Sequence, residues 1–457
     1  MGQDVMNFRA HARATLALGL PLIGGHLAQF AIGFTDTLMM GWYGVPELAA
    51  LTLASSLFFT LFLFGSGFAW AVMPMVATFA AQGDDVSVRR ATRMALWLSG
   101  LYFAAVLPVL WFSAPILRGL GQSPDIAALA QIYLRIASLG MLPALGVMVL
   151  KNYLAGLEDT RVAMVITLAA AALNVPANYA LVFGNWGAPE MGIAGAAVAS
   201  VLVQTVSLLL VVAYALRKRP EHQLFVRFWR ADGEMFSRVF RLGLPIGLTT
   251  LAEVAMFAAA ALPMGWLGNV PLAAHGVALQ ITSATFMMQV GLSNAATVRV
   301  GNALGRRDLG HLLAGARVVV VLGAVGVALS MALFLLLPET LVGAFVDPDD
   351  PARDEIIATG KRFLFFAALF QLADAAQVLH LGLLRGLQDT RVPMIMASVA
   401  YWVIGLPATL LFAFPLGLGG IGVWLGLTLG LAAAAALLIW RFWTRGAVLA
   451  EAQISAA

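Results

Sequence analysis

The chain has 457 residues, of which 61% are hydrophobic and only 11% charged. Soluble domains carry about 25% charged residues, and a mean hydropathy of +0.90 excludes a soluble fold here. The net charge of +4 does not point to nucleic acid, because the basic residues lie in loops and not on one face. The absence of cysteine excludes a disulfide framework and a thiolate metal site.

The N-terminus is basic and then apolar. Its apolar run extends well past the core of a signal peptide, so it reads as a first span that is kept. With it the chain has twelve apolar segments, each near the ~20 residues that cross a bilayer as a helix. They cover 16–41, 48–80, 91–112, 127–150, 162–184, 192–216, 239–267, 272–304, 312–337, 358–384, 392–414 and 421–442. Runs this long and this apolar are helices and not barrel strands. The expected fold class is an all-α membrane protein with twelve transmembrane helices in two pseudo-symmetric six-helix bundles.

Lys and Arg set the orientation. The termini and the loops after even-numbered spans hold 22 of the 27 basic residues, among them Arg89, Arg90, Arg93 and Arg385. That asymmetry places both termini in the cytoplasm.

The chain also repeats itself. LGLP at 18–21 returns at 242–245, and GLEDTRV at 156–162 returns as GLQDTRV at 386–392. Such repeats suggest an N-terminal lobe at 1–216, a cytoplasmic linker at 217–236 and a C-terminal lobe at 237–457, with substrate between lobes. The linker is basic, with Phe and Trp interleaved. It is either an amphipathic helix on anionic lipid or a solvated loop.

Three carboxylates fall inside spans: Asp36, Glu253 and Asp374. A charge at that depth costs roughly 2.5–3.5 kcal/mol on insertion scales. Such groups either serve ion or proton pathways or pair between helices. Asn174 and Asn178 are four apart and share a helix face. With Asp36 they make an oxygen cage suited to Na⁺ or to a proton with water; Gln29, Thr35 and Thr37 could complete it. The alternative is that the asparagines bridge helices or serve the break at Pro176. His26, His275 and His380 are scattered over three spans and read as structural before they read as a proton relay. No nucleotide-binding motif, metal cluster or nucleophile triad appears, so no enzyme activity and no cofactor are expected. Energy must come from an ion gradient, or there is none to use.

Together LGLP, FTDTLMMGWYG around Asp36, the two GLxDTRV copies, LNVPANYALVFG, LAEVAMF and QLADAAQ resemble the multidrug and toxic compound extrusion (MATE) transporters, most closely the NorM branch. The resemblance spans essentially the whole chain. It implies a pair of six-helix bundles in the bacterial inner membrane that exports cationic, amphipathic compounds in exchange for Na⁺ or H⁺. It implies an N-lobe cation site at Asp36, Asn174 and Asn178, and C-lobe acids at Glu253 and Asp374. Asp36, Glu253 and Asp374 are thus the candidate Na⁺ ligands. The family often has a tyrosine one turn before the tenth-span aspartate; Phe370 stands there, so one ligand hydroxyl is missing. In the expected cycle Phe257, Phe286, Gln280 and Met256 hold the drug until Na⁺ or H⁺ neutralises the acids. A monomer in contact with membrane lipids is expected, with no nucleic-acid partner. The rival reading, a lipid-linked oligosaccharide flippase of the same superfamily, would need cationic groups in the interior, where this chain is mainly acidic.

Overall fold

The computed structural model describes residues 7–456, and among them there is no strand. Twelve long helical segments follow one another: α1 Phe8–Tyr43, α2 Val45–Gln82, α3 Asp85–Trp111, α4 Pro124–Gly156, α5 Thr160–Phe183 and α6 Gly192–Lys218. After the linker come α7 Gly233–Leu267, α8 Asn269–Gly305, α9 Leu309–Leu336, α10 Arg353–Gly386, α11 Arg391–Ala413 and α12 Gly419–Ala456. Eleven of them are long and apolar enough to cross a membrane. The exception is α8, 37 residues long. Its interior carries Gln289, Asn294 and Arg299, all buried, which lowers its hydropathy without exposing the polar groups.

By contact the chain forms two compact units, Gly24–Gly247 and the chain up to Ile23 joined with Leu248–Ala457. Both divisions fall inside long helices, close to glycine-mediated crossings with α2 and α8. At the start of α7, a methyl on Gly67 of α2 would come within 2.5 Å of the Gly243 carbonyl oxygen and the Gly247 nitrogen. Backbones that close tie the start of α7 to α2. The repeat-related contact joins α1 to α8, where a methyl on Gly291 would stand 2.7 Å from the Ile23 nitrogen. Small residues permit such approaches between helices in lipid. Each unit has its own core. One gathers Phe68, Val72, Leu150, Tyr153 and Ile246; the other gathers Met256, Phe370, Tyr401, Trp424 and Leu427.

The GLxDTRV repeats are helix ends. Glu158 (φ 64°) and Gln388 (φ 56°) are left-handed, and the backbone bonds Asp159 N to Leu154 O and Asp389 N to Leu384 O close the turns. This is the Schellman pattern of a helix C-terminus. The aspartate then reaches the last helix of its half. Tyr214 of α6 donates to Asp159 Oδ2 at 2.6 Å, and Arg441 of α12 donates to Asp389 Oδ2 at 2.6 Å. A second pair of related turns follows α2 and α8, at Gly83 (φ 74°) and Arg307 (φ 60°). There Asp84 and Asp308 cap the next helix through Ser87 N and His311 N, both at 2.9 Å.

Of the two forms expected for the linker, the structure gives a largely exposed loop and not a helix. It is a short 3₁₀ turn, Pro220–His222, and a run of turns folded onto α3. Arg93 Nε donates to Leu224 O at 2.7 Å, Arg93 Nη2 donates to Gln223 O at 2.9 Å and to Val226 O, and Trp97 Nε1 donates to Phe228 O at 3.0 Å. Side chains on α3 therefore supply the partners that a helix would have provided internally.

Candidate cation sites

Asp36 lies on α1, whose sequence around it is apolar apart from Thr35 and Thr37. Both threonine hydroxyls turn back to their own helix, donating to Ala31 O and Gly33 O at 2.9 and 3.0 Å. Gln29 is exposed. The partners of Asp36 come instead from α5. Asn174 Nδ2 and Asn178 Nδ2 donate to the same oxygen, Asp36 Oδ1, at 2.9 and 2.6 Å. Both asparagines are fully buried, at 1% and 0% exposure. They flank Pro176, which α5 accommodates within one continuous helix.

The sequence reading expected the amide oxygens to face the ion. In the structure the amide nitrogens hold the carboxylate, and Asn174 Oδ1 and Asn178 Oδ1 are buried without a hydrogen-bond partner. A lone carboxylate in a low-dielectric interior needs donors to remain ionised, and two amides supply them. The two orphaned oxygens and Asp36 Oδ2 are then acceptors without donors. Acceptors of this kind suit a small cation or a protonated water. Among the described residues Asp36 forms no salt bridge with Lys or Arg.

The second unit builds a comparable site from α7, α10 and α11. Asp374, 3% exposed, is flanked on α10 by Gln371 and Gln377, 1% and 0% exposed. The spacing i−3, i, i+3 puts all three on one face. Gln371 Nε2 donates to Thr282 O at 3.0 Å and Thr285 Oγ1 at 2.7 Å, both on α8. Gln377 Nε2 donates to the Tyr401 hydroxyl at 2.6 Å, and Gln377 lies near enough to Glu253 of α7 to influence its charge. Three acceptors on this face are buried without a partner: Gln371 Oε1, Asp374 Oδ1 and Gln377 Oε1. Glu253 and Asp374 lie within electrostatic reach of one another. Arg385, further along α10, adds a positive charge felt by Glu253.

Tyr401 sits in a π-helical turn, Ala400–Gly405, inside α11. Such turns insert a residue into the helical ladder and often mark functional positions. Here the turn ends at Gly405, which meets Gly430 of α12 so closely that a methyl on Gly430 would stand 2.7 Å from the Gly405 Cα. Trp402 donates to Ala252 O at 3.2 Å, next to Glu253.

Phe370 does leave the aspartate without a neighbouring hydroxyl. Its ring packs edge-on against Trp424 (5.4 Å) and against Phe257 (5.8 Å). Gln377 and Tyr401, which sequence reasoning missed, bring a hydroxyl to the same neighbourhood from another helix. The QLADAAQ spacing carried the glutamine signal; nothing local marked Tyr401. Of the expected drug contacts, Phe257 adjoins this core and Met256 is fully buried within it. Gln280 and Phe286 are partly buried on α8. The histidines divide. His380 is structural, its Nδ1 2.7 Å from Ala376 O and its Nε2 accepting from Trp443 at 3.1 Å. His26 stacks on Trp70 at 6.2 Å.

Long apolar helices that enclose ionisable groups, with two carboxylate-centred sites lined by unpartnered acceptors, are the architecture of a polytopic membrane transporter. The MatE family model matches residues 21–180 and 245–411, and the chain belongs to that family. It is 47% identical over 445 residues to a probable multidrug resistance protein NorM of Rhizobium meliloti, covering 97% of this chain and 95% of that protein. It is 35% identical to a protein of the same description from Synechocystis, over 95% of each chain. Among solved structures it resembles a eukaryotic MATE transporter with a TM-score of 0.87 at 18% identity, covering 98% of this chain and 99% of that one. An outward-facing multidrug resistance MATE family transporter of the MOP superfamily gives 0.85 at 20% identity, covering 100% and 99%. The expected family and twelve-helix fold class hold.

Proposed function

We propose that this protein is a multidrug efflux antiporter of the bacterial inner membrane, with both termini cytoplasmic, and that it exports cationic amphipathic compounds in exchange for Na⁺ or H⁺. The relatives named as multidrug resistance proteins support the efflux reading. The observation that carries the coupling is the pair of buried carboxylate sites whose remaining acceptors have no donor.

The chemistry follows from charge. With the acids ionised, a drug cation is attracted and held by apolar and aromatic contact, for which Phe257, Phe286 and Gln280 are the proposed residues, with Met256 packed behind Phe257. Na⁺ or H⁺ then occupies Asp36 between Asn174 and Asn178, or Asp374 and Glu253 between Gln371 and Gln377. The negative charge is cancelled, and drug affinity falls. A ligand shifts a conformational equilibrium only as far as its affinities for the two states differ, and cancellation of that charge supplies the difference. The protein works as a monomer, surrounded by lipid.

Ethidium efflux from cells expressing Asp36→Asn or Asp374→Asn tests the coupling. Each variant keeps the shape and loses the charge. Efflux should fall to the level of cells without the transporter, at unchanged membrane expression. Undiminished efflux in either variant removes that residue from the mechanism.

A further inference from the structure

On the arginine-rich side of the Gly24–Gly247 unit, α3 and the linker enclose a cavity of about 510 Å³. Arg89, Arg90, Arg93 and Met94 line it from α3, and Arg230 and Asp232 line it from the linker. Its size falls in the range of small-ligand sites. Its charge is lopsided. Arg90 is neutralised twice, by Asp232 at 2.5 Å and by Glu234 at 2.8 Å. Arg93 and Arg89 meet neutral partners. Arg93 donates to linker carbonyls, and Arg89 donates to the Gln223 side chain at 3.3 Å. Arg230 is exposed and adds its charge beside Asp232. Four guanidinium groups against two carboxylates leave a net positive cavity.

The same linker presents apolar groups outward. Trp229 is 76% exposed and Val226 54% exposed, beside the exposed Arg227. Tryptophan and arginine together are characteristic of the membrane interface. Arginine is the residue suited to bidentate binding of phosphate oxygens.

We infer that this cavity binds a phosphate-bearing anion through Arg89, Arg93 and Arg230, and that the headgroup of an anionic phospholipid is its natural source. Arg93 holds the linker backbone in place and turns its remaining charge into the cavity. Arg89 and Arg230 close on the phosphate from the helix side and the linker side. Trp229 and Val226 sit among the acyl chains next to it. Occupancy then ties the linker, and with it the start of α7, to the lipid surface.

Native mass spectrometry of the full-length protein in detergent tests this with phosphatidylglycerol, phosphatidylcholine and glycerol 3-phosphate as probes. Arg89→Gln combined with Arg230→Gln gives up the long Arg89–Gln223 contact and leaves Arg90 and Arg93 holding Asp232 and the linker backbone. That variant should lose about thirty-fold in phosphatidylglycerol affinity, while Arg89→Lys with Arg230→Lys keeps most of it. Phosphatidylcholine should bind all three proteins alike. Competition by glycerol 3-phosphate would support the site with a soluble phosphate as its source; no competition would support the lipid. The inference is overturned if the glutamine variant holds phosphatidylglycerol as tightly as the parent, or if phosphatidylcholine displaces it equally well.

Discussion

At Asp36 a single carboxylate oxygen takes two amide donors, and the amide oxygens are left over. At Asp374 a glutamine on each side repeats the theme, with donors engaged elsewhere and acceptors free. The acids themselves were legible in the sequence, because charge inside an apolar run is conspicuous. So was the Asn174–Asn178 spacing. The direction of the amides was not, since it depends on which helix faces which. Tyr401 was invisible for the same reason: only the packing of α10 against α11 brings its hydroxyl to Gln377. Two substitutions separate holding from coupling. Tyr401→Phe leaves one buried donor of Gln377 with a lost acceptor and should cost about 1–3 kcal/mol of stability, with efflux retained. Gln377→Leu removes the amide that holds Tyr401 beside Glu253 and Asp374, and ethidium efflux should fall at least tenfold. Thermal unfolding in detergent and efflux from cells, measured on the same variants, check both. Equal efflux in Gln377→Leu and the parent would remove Gln377 from the coupling site.

Helix ends and crossings follow a pattern that was only half visible. The GLxDTRV copies stood out as text, yet their meaning is structural: a left-handed turn followed by an aspartate that anchors the last helix of its half. Asp389 and Arg441 form the ion-paired version, largely shielded at 11% and 15% exposed. Asp389→Ala strands the guanidinium and should cost about 3–5 kcal/mol, seen as a lower unfolding temperature. A crossing that escaped notice is the ladder of Gly422, Gly426 and Gly430 on α12, four residues apart, facing Ala413, Thr409 and Gly405 of α11. The spacing is the small-residue pattern of close helix pairs. Any side chain at Gly426 meets the Thr409 backbone, so Gly426→Leu should prevent folding or force the two helices apart, read as loss of monodisperse protein on gel filtration. The linker's composition left a lipid-lying helix and a solvated loop both open, and the hydrogen bonds of Arg93 and Trp97 hold it as a loop against α3. Arg90 holds the Asp232 carboxyl below the usual carboxylate range. The pair therefore steadies the docked linker above about pH 4, and that contribution is lost as acidification protonates Asp232. Hydrogen-exchange protection of the 223–230 amides, compared at pH 6 and pH 3, should fall in the parent and be low at both in Arg93→Ala. Protection unchanged in that variant would show that Arg93 does not hold the linker.

For the molecule as a whole, hydropathy and charge asymmetry sufficed to count the spans, because lipid leaves the backbone few options. They could not show that α1 and α8, and α2 and α7, meet through glycine contacts, since those depend on backbone approach. The two repeats share a frame, yet their acids stand at unrelated positions, Asp36 in one half and Glu253 with Asp374 in the other. Each half has nonetheless arrived at a carboxylate set among amides. The direct measurement is drug flux in proteoliposomes under an imposed Na⁺ gradient and, separately, an imposed pH gradient, for the parent and for the Asp36→Asn/Asp374→Asn double variant. Charge exchange at these sites requires one gradient to drive flux in the parent and the double variant to fall to the rate of empty liposomes. Flux in the double variant that still follows the gradient at the parent's rate would contradict it.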